Sequence, residues 1–455
     1  MSRADTIVAL STPPGPSGIG VIRLSGPRSL EIARALIGEA QFAPESNRAT
    51  LKKICEPETG EVLDRALVTF FKSPHSFTGE DVVELSCHGS PVLLRHLIDL
   101  VLGLDGRAAG PGEFTLRALA NGRLNLSQAE AIRDLINAQT NAAARQAARQ
   151  LGGELSARLQ PLKDDLLGII VPLESSLEFV EDDLPEIHLD AIKGRLAAVI
   201  REIEMLASTF RSGRLLRDGL RVTLAGRPNV GKSSVFNRLL SADRAIVTEL
   251  PGTTRDSLSE VIGLQGVPVL LTDTAGVRTS PDEIEILGIE RTRRAMADAD
   301  LVVIVFDGSQ PLTDEDEQIF AEVEQSPHIV ALNKSDLASF SLNGFEPAAA
   351  AAPVIAISAK TGAGLDDLRA AILRPFASAD MQTTGLLITE ARHFDLLRRA
   401  QQSLESSAGL LEQRAGEELV LVGLHNALRF LGEITGETTP EDVLSQIFAT
   451  FCIGK

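Results

Sequence analysis

A chain of 455 residues is too long for one hydrophobic core, so two to four domains are expected. With 44% hydrophobic and 23% charged residues it reads as a soluble globular protein, and no apolar run approaches the roughly eighteen residues that cross a bilayer. A net charge of −18 argues against bulk adsorption to nucleic acid, although one basic patch or a partner could still present it.

The opening MSRADTIVALSTPPG has only Arg3 ahead of a short apolar stretch that breaks at Pro13-Pro14-Gly15, which is not the pattern of a secretory signal. Up to about Arg117, β-like runs (Thr6 to Leu10, Gly20 to Leu24, Ala66 to Phe70, Val82 to Leu85) mix with one or two helical stretches under heavy Gly and Pro punctuation, predicting an α+β unit. From Leu126 to about Arg217 the texture is helical, with apolar residues at helical spacing through Leu151, Leu155, Leu159 and Leu162. The run EDDLPE near Asp182 reads as a turn between two long helices. From Leu220 to Pro375 short buried strands alternate with helices, which predicts a parallel sheet with crossovers. Helical texture returns from Leu386 to the end, so the α/β unit is expected to be inserted into a helical bundle. Cys55, Cys87 and Cys452 have no metal-ligand spacing and cannot pair completely, pointing to a reducing, cytoplasmic compartment.

Chemistry concentrates in the α/β unit. The strand-like RVTLAG leads into GRPNVGKSS and then the helix-like SSVFNRLL, the context a phosphate loop requires. Gly226 and Gly231 let backbone N–H groups close around phosphates, Lys232 supplies charge, the Ser233 hydroxyl suits Mg²⁺, and Asn229, Val230 and Ser234 complete the loop. DTAG (Asp273, Thr274, Ala275, Gly276) follows the apolar VPVLLT, where Asp273 can hold Mg²⁺ through water. NKSD follows HIVAL with Asn333, Lys334 and Asp336; the Asp336 carboxylate can accept two guanine N–H bonds that adenine cannot offer. SAK (Ser358, Ala359, Lys360) follows VIAI, where its backbone can meet the base oxygen. Alone, NKSD would be an ordinary surface turn; four motifs in order at strand ends define a GTP site.

The segment Thr248, Glu249, Leu250, Pro251, Gly252, Thr253, Thr254 lies where a first switch must lie, and Thr254 is the expected Mg²⁺ ligand there. After DTAG comes the apolar Val277, which cannot orient an attacking water. Asp282, Glu283, Glu285 and Glu290 follow, each taken singly a solvated charge. Arg255 and Arg278 lie in the switches, but a bound cation could supply the same charge as an arginine finger.

These motifs, together with DTIVALSTPPGPSGIGVIRLSG, FTGEDVVELSCHG, AGPGEFTLRA, LSQAEAI and the terminal FCIGK, resemble the MnmE (TrmE) family of tRNA-modification GTPases over essentially the whole chain. The resemblance implies a multidomain α/β plus α protein. Residues 1–120 would form an α+β domain that dimerises and binds tetrahydrofolate, 121–218 and 378–455 two segments of a helical bundle, and 219–377 an inserted Ras-like P-loop GTPase domain. It further implies a homodimer whose GTP hydrolysis is activated by potassium and by dimerisation of the G domains. With the FAD-dependent partner MnmG, the family attaches an aminomethyl-type group to carbon 5 of the tRNA wobble uridine, the one-carbon unit coming from methylene-tetrahydrofolate. By the same resemblance, K⁺ is held by Asn229 with backbone groups of Thr248, Leu250 and Thr253, and Glu285 is the water-orienting glutamate. The 5-formyl- or methylene-tetrahydrofolate contacts fall on Arg23, Glu84, Arg123 and Lys455; Lys is common where Arg123 stands. Cys452 matches the cysteine required for modification, though a cysteine there is otherwise a small packed hydrophobe.

Spacing alone identifies no folate site: Arg23 and Glu84 would otherwise be solvated charges beside strands. Arg211, Arg214, Arg217 and Arg221 could steer tRNA or a partner, or form a solvated helix face. Two rival readings share the GTPase motifs: a regulatory switch, which needs neither folate residues nor Cys452, and a ribosome-assembly GTPase, which would be expected to carry a basic RNA-binding appendage.

Overall fold

The computed structural model describes residues 5–178, 189–243, 258–273, 295–342, 352–376, 385–437, 444 and 447–454. The chain divides into two compact units, residues 1–133 with 432–455, and residues 134–431.

The first unit is built on a six-stranded sheet of β1 (Thr6–Leu10), β2 (Ser17–Ser25), β3 (Ala49–Cys55), β4 (Val62–Phe71), β5 (Val82–Gly89) and β6 (Gly106–Ala108), in the order β3-β4-β5-β2-β1-β6. Alternation decides its faces: Ile22, Leu24, Ala66, Val68, Val83 and Leu85 turn inward under α1 (Ser29–Ile37) and α2 (Pro91–Gly103), while Arg23, Glu84, Leu67 and Leu51 lie on the other face. Helix α2 starts where Ser90 accepts the Leu93 N–H with Pro91 behind it, and α1 stops at Gly38 in the left-handed region. Helices α3 (Glu113–Ala120) and α4 (Leu126–Asn137) follow. Ala129 of α4 and the tail residues Phe448 and Phe451 share a small core. Beyond it the tail is stitched to the sheet: Gly112 N–H donates to the Cys452 carbonyl (3.3 Å), Pro111 bridges Ile453, and Ser11 Oγ donates to the Gly454 carbonyl (3.2 Å).

The second unit begins with α5 (Asn141–Leu151), capped by Thr140, and α6 (Glu154–Glu178). The run read as one helical texture is cut at Gly152-Gly153, where Gly153 takes a positive φ, and Leu155, Leu159 and Leu162 are buried along α6. Helices α7 (Leu189–Ser208) and α8 (Phe210–Asp218) lead to the second sheet; the EDDLPE segment lies outside the described residues. That sheet comprises β7 (Leu220–Ala225), β8 (Leu258–Leu264), β9 (Val267–Asp273), β10 (Leu301–Asp307), β11 (His328–Asn333) and β12 (Val354–Ala356), ordered β12-β11-β10-β7-β9-β8. It is parallel except for the β8–β9 hairpin, with α9 (Lys232–Asp243), α10 (Asp314–Val323) and α11 (Leu365–Leu373) as its helices. Continuous apolar strands such as LVVIVF fit a sheet buried on both faces. Helices α12 (Ala391–Glu412) and α13 (Glu417–Thr435) close the bundle. The fold class is as expected: an N-terminal α+β domain, helical segments and a Ras-like α/β unit.

Candidate functional site

Three strands of the second sheet end in a polar residue at the same edge: β9 in Asp273, β10 in Asp307 and β11 in Asn333. Register fixes the alignment, pairing Asp307 with Asn333 and Leu224, two residues before Gly226, with Asp273. The C-terminal edge of a parallel sheet is where such folds bind ligands.

Between β7 and α9 the loop Gly226–Gly231 arches over this edge. A Cβ on Gly226 (φ +144°) would run into the Val305 carbonyl, and one on Gly231 (φ +100°) into Asn333 Nδ2, so both positions require glycine. Val230 is fully buried and anchors the loop, while Asn229 takes φ +67°, a conformation Asn tolerates well. Lys232 Nζ donates to the carbonyls of Gly226 (2.6 Å) and Arg227 (2.9 Å), so the loop closes around the ammonium. Ser233 and Ser234 follow in the first turn of α9, and Asp273 is fully buried at the end of β9. A buried carboxylate beside a phosphate loop, with a hydroxyl at the helix start, is a hard-oxygen donor set that fits Mg²⁺.

The side of the site around Asn333 is tightly cross-linked. Asn333 Nδ2 donates to the Val230 carbonyl (2.9 Å) and its Oδ1 accepts the Ala359 N–H (3.0 Å), tying the phosphate loop to the Ser358–Lys360 turn. Ser358 is buried; its Oγ donates to Asp336 Oδ1 (2.7 Å) and its N–H to the Ala363 carbonyl (2.9 Å). That hydroxyl bond, with Lys360 at 4.0 Å, holds the Asp336 carboxyl below the usual range and therefore ionised. Lys334 has φ +68°.

In the first unit, Arg23 on β2 and Glu84 on β5 are register partners; Arg23 Nε donates to Glu84 Oε1 at 2.8 Å, and Nη2 lies in ion-pair contact with the same oxygen, also at 2.8 Å. The guanidinium lies 5.7 Å from the Phe77 ring and 5.8 Å from the Phe114 ring. Gly79, two residues beyond Phe77, packs beside Asn121 and the exposed Arg123, and Asn121 Nδ2 donates to the Thr78 carbonyl (2.7 Å). The structure thus gathers Arg23, Glu84 and Arg123 around the Phe77–Gly79 loop. Cys452 is exposed, and Gly454 lies against the Leu10 carbonyl, one residue from Ala9, the partner of Arg23.

The family model described as "MnmE helical domain" matches residues 126–452, and that described as "GTP-binding protein TrmE N-terminus" matches residues 6–123. The tRNA modification GTPase MnmE of Koribacter versatilis is 45% identical over the full length of both chains, and that of Aquifex aeolicus is 40% identical over 99% of this chain and 100% of its own. The G domain of the T. maritima FeoB iron transporter is a similar solved structure, with a TM-score of 0.28 and 28% identity over 35% of this chain and 99% of that one. The chain belongs to the MnmE family of tRNA modification GTPases.

For an MnmE-family chain, the first switch (Thr248, Glu249, Leu250, Pro251, Gly252, Thr253, Thr254, with Arg255), Thr274, Ala275, Gly276, Val277, Arg278, Asp282, Glu283, Glu285, Glu290 and Lys455 all lie outside the described residues. Of the arginine cluster, Arg211, Arg214 and Arg221 are exposed, whereas Arg217 is drawn into ion pairs. Arg217 is mostly buried and bridges Asp134 (3.1 Å) and Glu390 (3.0 Å); Arg214 pairs with Asp218, and Arg211 donates to the Pro375 carbonyl. Burial opposes the Arg217 charge, but Glu390 and Asp134 more than offset it and raise its pKa.

Two tethers of the site were absent from the motif reading. Arg227 of the phosphate loop pairs with Asp316 (3.0 Å), which also closes the capping box at the start of α10 with Thr313. Asp307 pairs with Lys334 (2.5 Å). The signal for Asp307 was a polar residue ending an apolar strand, as Asp273 and Asn333 do. Among the described residues, no helix is long and apolar enough to cross a membrane, and no cluster of three or more His, Cys, Asp or Glu could hold a metal.

Proposed function

We propose that this chain is a potassium-activated GTPase which, with the FAD-dependent MnmG, modifies carbon 5 of the tRNA wobble uridine using a tetrahydrofolate one-carbon unit. GTP hydrolysis in tRNA modification is the activity of its family. The observation that carries the nucleotide reading is the cross-linked corner of Asn333, Asp336 and Ser358: an ionised carboxylate accepts the two guanine N–H groups from a fixed position. Adenine would leave that carboxylate unpaired, a mismatch that discriminates strongly. Lys232 exchanges its loop carbonyls for phosphate oxygens, and the backbone N–H groups of the loop from Asn229 to Lys232 face the same charge.

Mg²⁺ would be held by Ser233 and Thr254, with Asp273 behind a water, and supplies charge against the phosphate oxygens. K⁺ would be held by Asn229 and backbone groups of Thr248, Leu250 and Thr253, and supplies the charge an arginine finger gives elsewhere. Glu285 orients the attacking water in place of Val277. In the N-terminal domain, Arg23, Glu84, Arg123 and Lys455 would bind the 5-formyl- or methylene-tetrahydrofolate. The partly shielded ion pair beside the exposed Phe77 ring supports this, since it offers a flat heterocycle a charged hydrogen-bonding edge next to an aromatic surface. Cys452, exposed on a tail stitched beside β1, is the residue we assign to the modification chemistry. The functional division follows residues 1–120, 121–218 with 378–455, and 219–377, in a homodimer working in the cytoplasm.

Titration with guanine and adenine nucleotides tests the first part. GTP should bind far better than ATP, and Asp336→Asn should turn preference toward xanthine nucleotides; equal affinity for ATP and GTP overturns the assignment. Analysis of wobble uridine in tRNA from cells lacking the protein tests the rest, and unchanged modification would remove it.

A further inference from the structure

Asp307 closes β10, and its side chain is 3% exposed. Its carboxylate is held by polar contacts: Oδ1 accepts the N–H (3.0 Å) and hydroxyl (2.6 Å) of Ser309, and Oδ2 accepts Lys334 Nζ at 2.5 Å. Lys334 belongs to the guanine corner, stands in the left-handed region and has a side chain that is one-third exposed. Around this pair the two loops are fastened together. Gly308 N–H donates to the Asn333 carbonyl (3.0 Å), Ser341 N–H donates to the Gly308 carbonyl (2.9 Å), and a Cβ on Gly308 would strike the Phe340 ring.

We infer that Asp307 is a positioning residue for the guanine-nucleotide site: it holds the Lys334 ammonium at the end of β10 and so lays the aliphatic stem of Lys334 across the base-binding corner. The inference rests on the guanine reading above. A lysine carries about 2 kcal/mol of rotamer entropy, which an unheld side chain would lose only when nucleotide arrives. Fixing it beforehand moves that cost from binding to folding. The carboxylate is suited to the task. Burial pushes its pKa up, but the Lys334 and Ser309 hydrogen bonds more than offset this and keep it ionised. The competing role is local, with Asp307 shaping its own turn through Ser309 and nothing more.

The two roles separate in a set of full-length variants titrated with a fluorescent GDP analogue: Asp307→Asn, Lys334→Met, the double variant and Ser309→Ala. Asparagine keeps an acceptor for Ser309 and removes the charge that faces Lys334. Asp307→Asn should weaken GDP about tenfold, the scale of one charge-assisted hydrogen bond. The KM for GTP should rise in parallel, with a smaller fall in kcat. In the Lys334→Met background the Asp307→Asn change should cost nothing further, and Ser309→Ala should stay within about twofold of the parent. The inference is overturned if Asp307→Asn binds like the parent, if the two losses multiply in the double variant, or if Ser309→Ala reproduces the loss. A parent chain that binds no GDP at all would instead overturn the guanine reading.

Discussion

The guanine corner and the Arg23–Glu84 pair are both polar clusters on six-stranded sheets, yet they are held in opposite ways. At the corner, Asn333 and Ser358 are buried, and backbone groups of Val230, Ala359 and Ala363 serve as their partners. Arg23 and Glu84 face outward from mid-strand and satisfy each other through side chains alone. Removing a group at the corner strands a buried donor or acceptor, at about 1–3 kcal/mol each. Removing one member of a partly exposed pair costs about 0–1 kcal/mol. A ligand site built into strand ends is therefore inseparable from the stability of its domain, whereas one laid across a sheet face can be altered with little damage to the fold.

Perturbing each region puts that contrast at risk. The largest effect is expected at the tail beside the N-terminal sheet: Cys452→Ser should abolish tRNA modification while GTP hydrolysis continues, and full modification by the variant would reduce the cysteine to packing. In the phosphate loop, Asn229→Ala should slow turnover by ~10² or more in any salt with GTP binding retained. The parent should be fast in potassium and slow in sodium at equal ionic strength, and equal rates would place the charge on Arg255 or Arg278 instead. Asn333→Ala, losing both of its links, should lower the midpoint of thermal unfolding as well as weaken GTP, by roughly ten- to a hundredfold. A normal melting curve for this variant would break the contrast at its stronger side. Arg23→Ala should weaken a formyl- or methylene-tetrahydrofolate about tenfold and leave both GTP affinity and the melting curve near the parent. Unchanged folate binding in calorimetry would remove Arg23 from the site.

The smallest effect is a pH dependence of the N-terminal unit. Burial raises the pKa of Glu113, but Arg107, the Gly110 N–H and Arg117 more than offset it, and Asp5 is lowered in the same way by Arg107 and Arg117. A carboxyl lowered in the folded state stabilises fully above its ordinary value, 4.5 for Glu113 and 3.8 for Asp5, and loses that contribution as pH falls through the lowered value. Melting followed downward from pH 4.5 should therefore fall more steeply in the parent than in Arg107→Ala, and parallel curves would show that the network adds nothing.

How much of this was legible in the sequence follows from the same contrast. The phosphate loop, Asp273, NKSD and SAK could be read because strand-end chemistry confines its residues to short contiguous words. Gly226 and Gly231 are spelled there because neighbouring backbone and Asn333 leave no room for a Cβ. Arg23 and Glu84 are 61 residues apart, and β-sheet register, which no local pattern records, makes them neighbours; only the family resemblance singled them out. Asp307 and the Arg227–Asp316 tether were missed because their partners sit on other loops. The pairing of Arg217 was hidden for a related reason: helical spacing counts charges but not the carboxylates of Asp134 and Glu390 that arrive from elsewhere in the chain.

The β8–β9 hairpin has its tip fastened: Thr140 Oγ1, the cap of α5, donates to the Gly266 carbonyl at 2.7 Å, and the ladder runs unbroken from Leu264–Val267 to Leu258–Asp273. Seven residues of strand make this a ruler about 23 Å long, clamped at one end to the helical bundle. Neither strand can slip past the other without tearing the tip from α5, so the graduation at the far end, where Leu258 meets Asp273, is read against the bundle. A residue inserted in β9 would move Asp273 out of line with Leu224 of β7, and the error would arrive at the phosphate-loop end of the sheet undiminished.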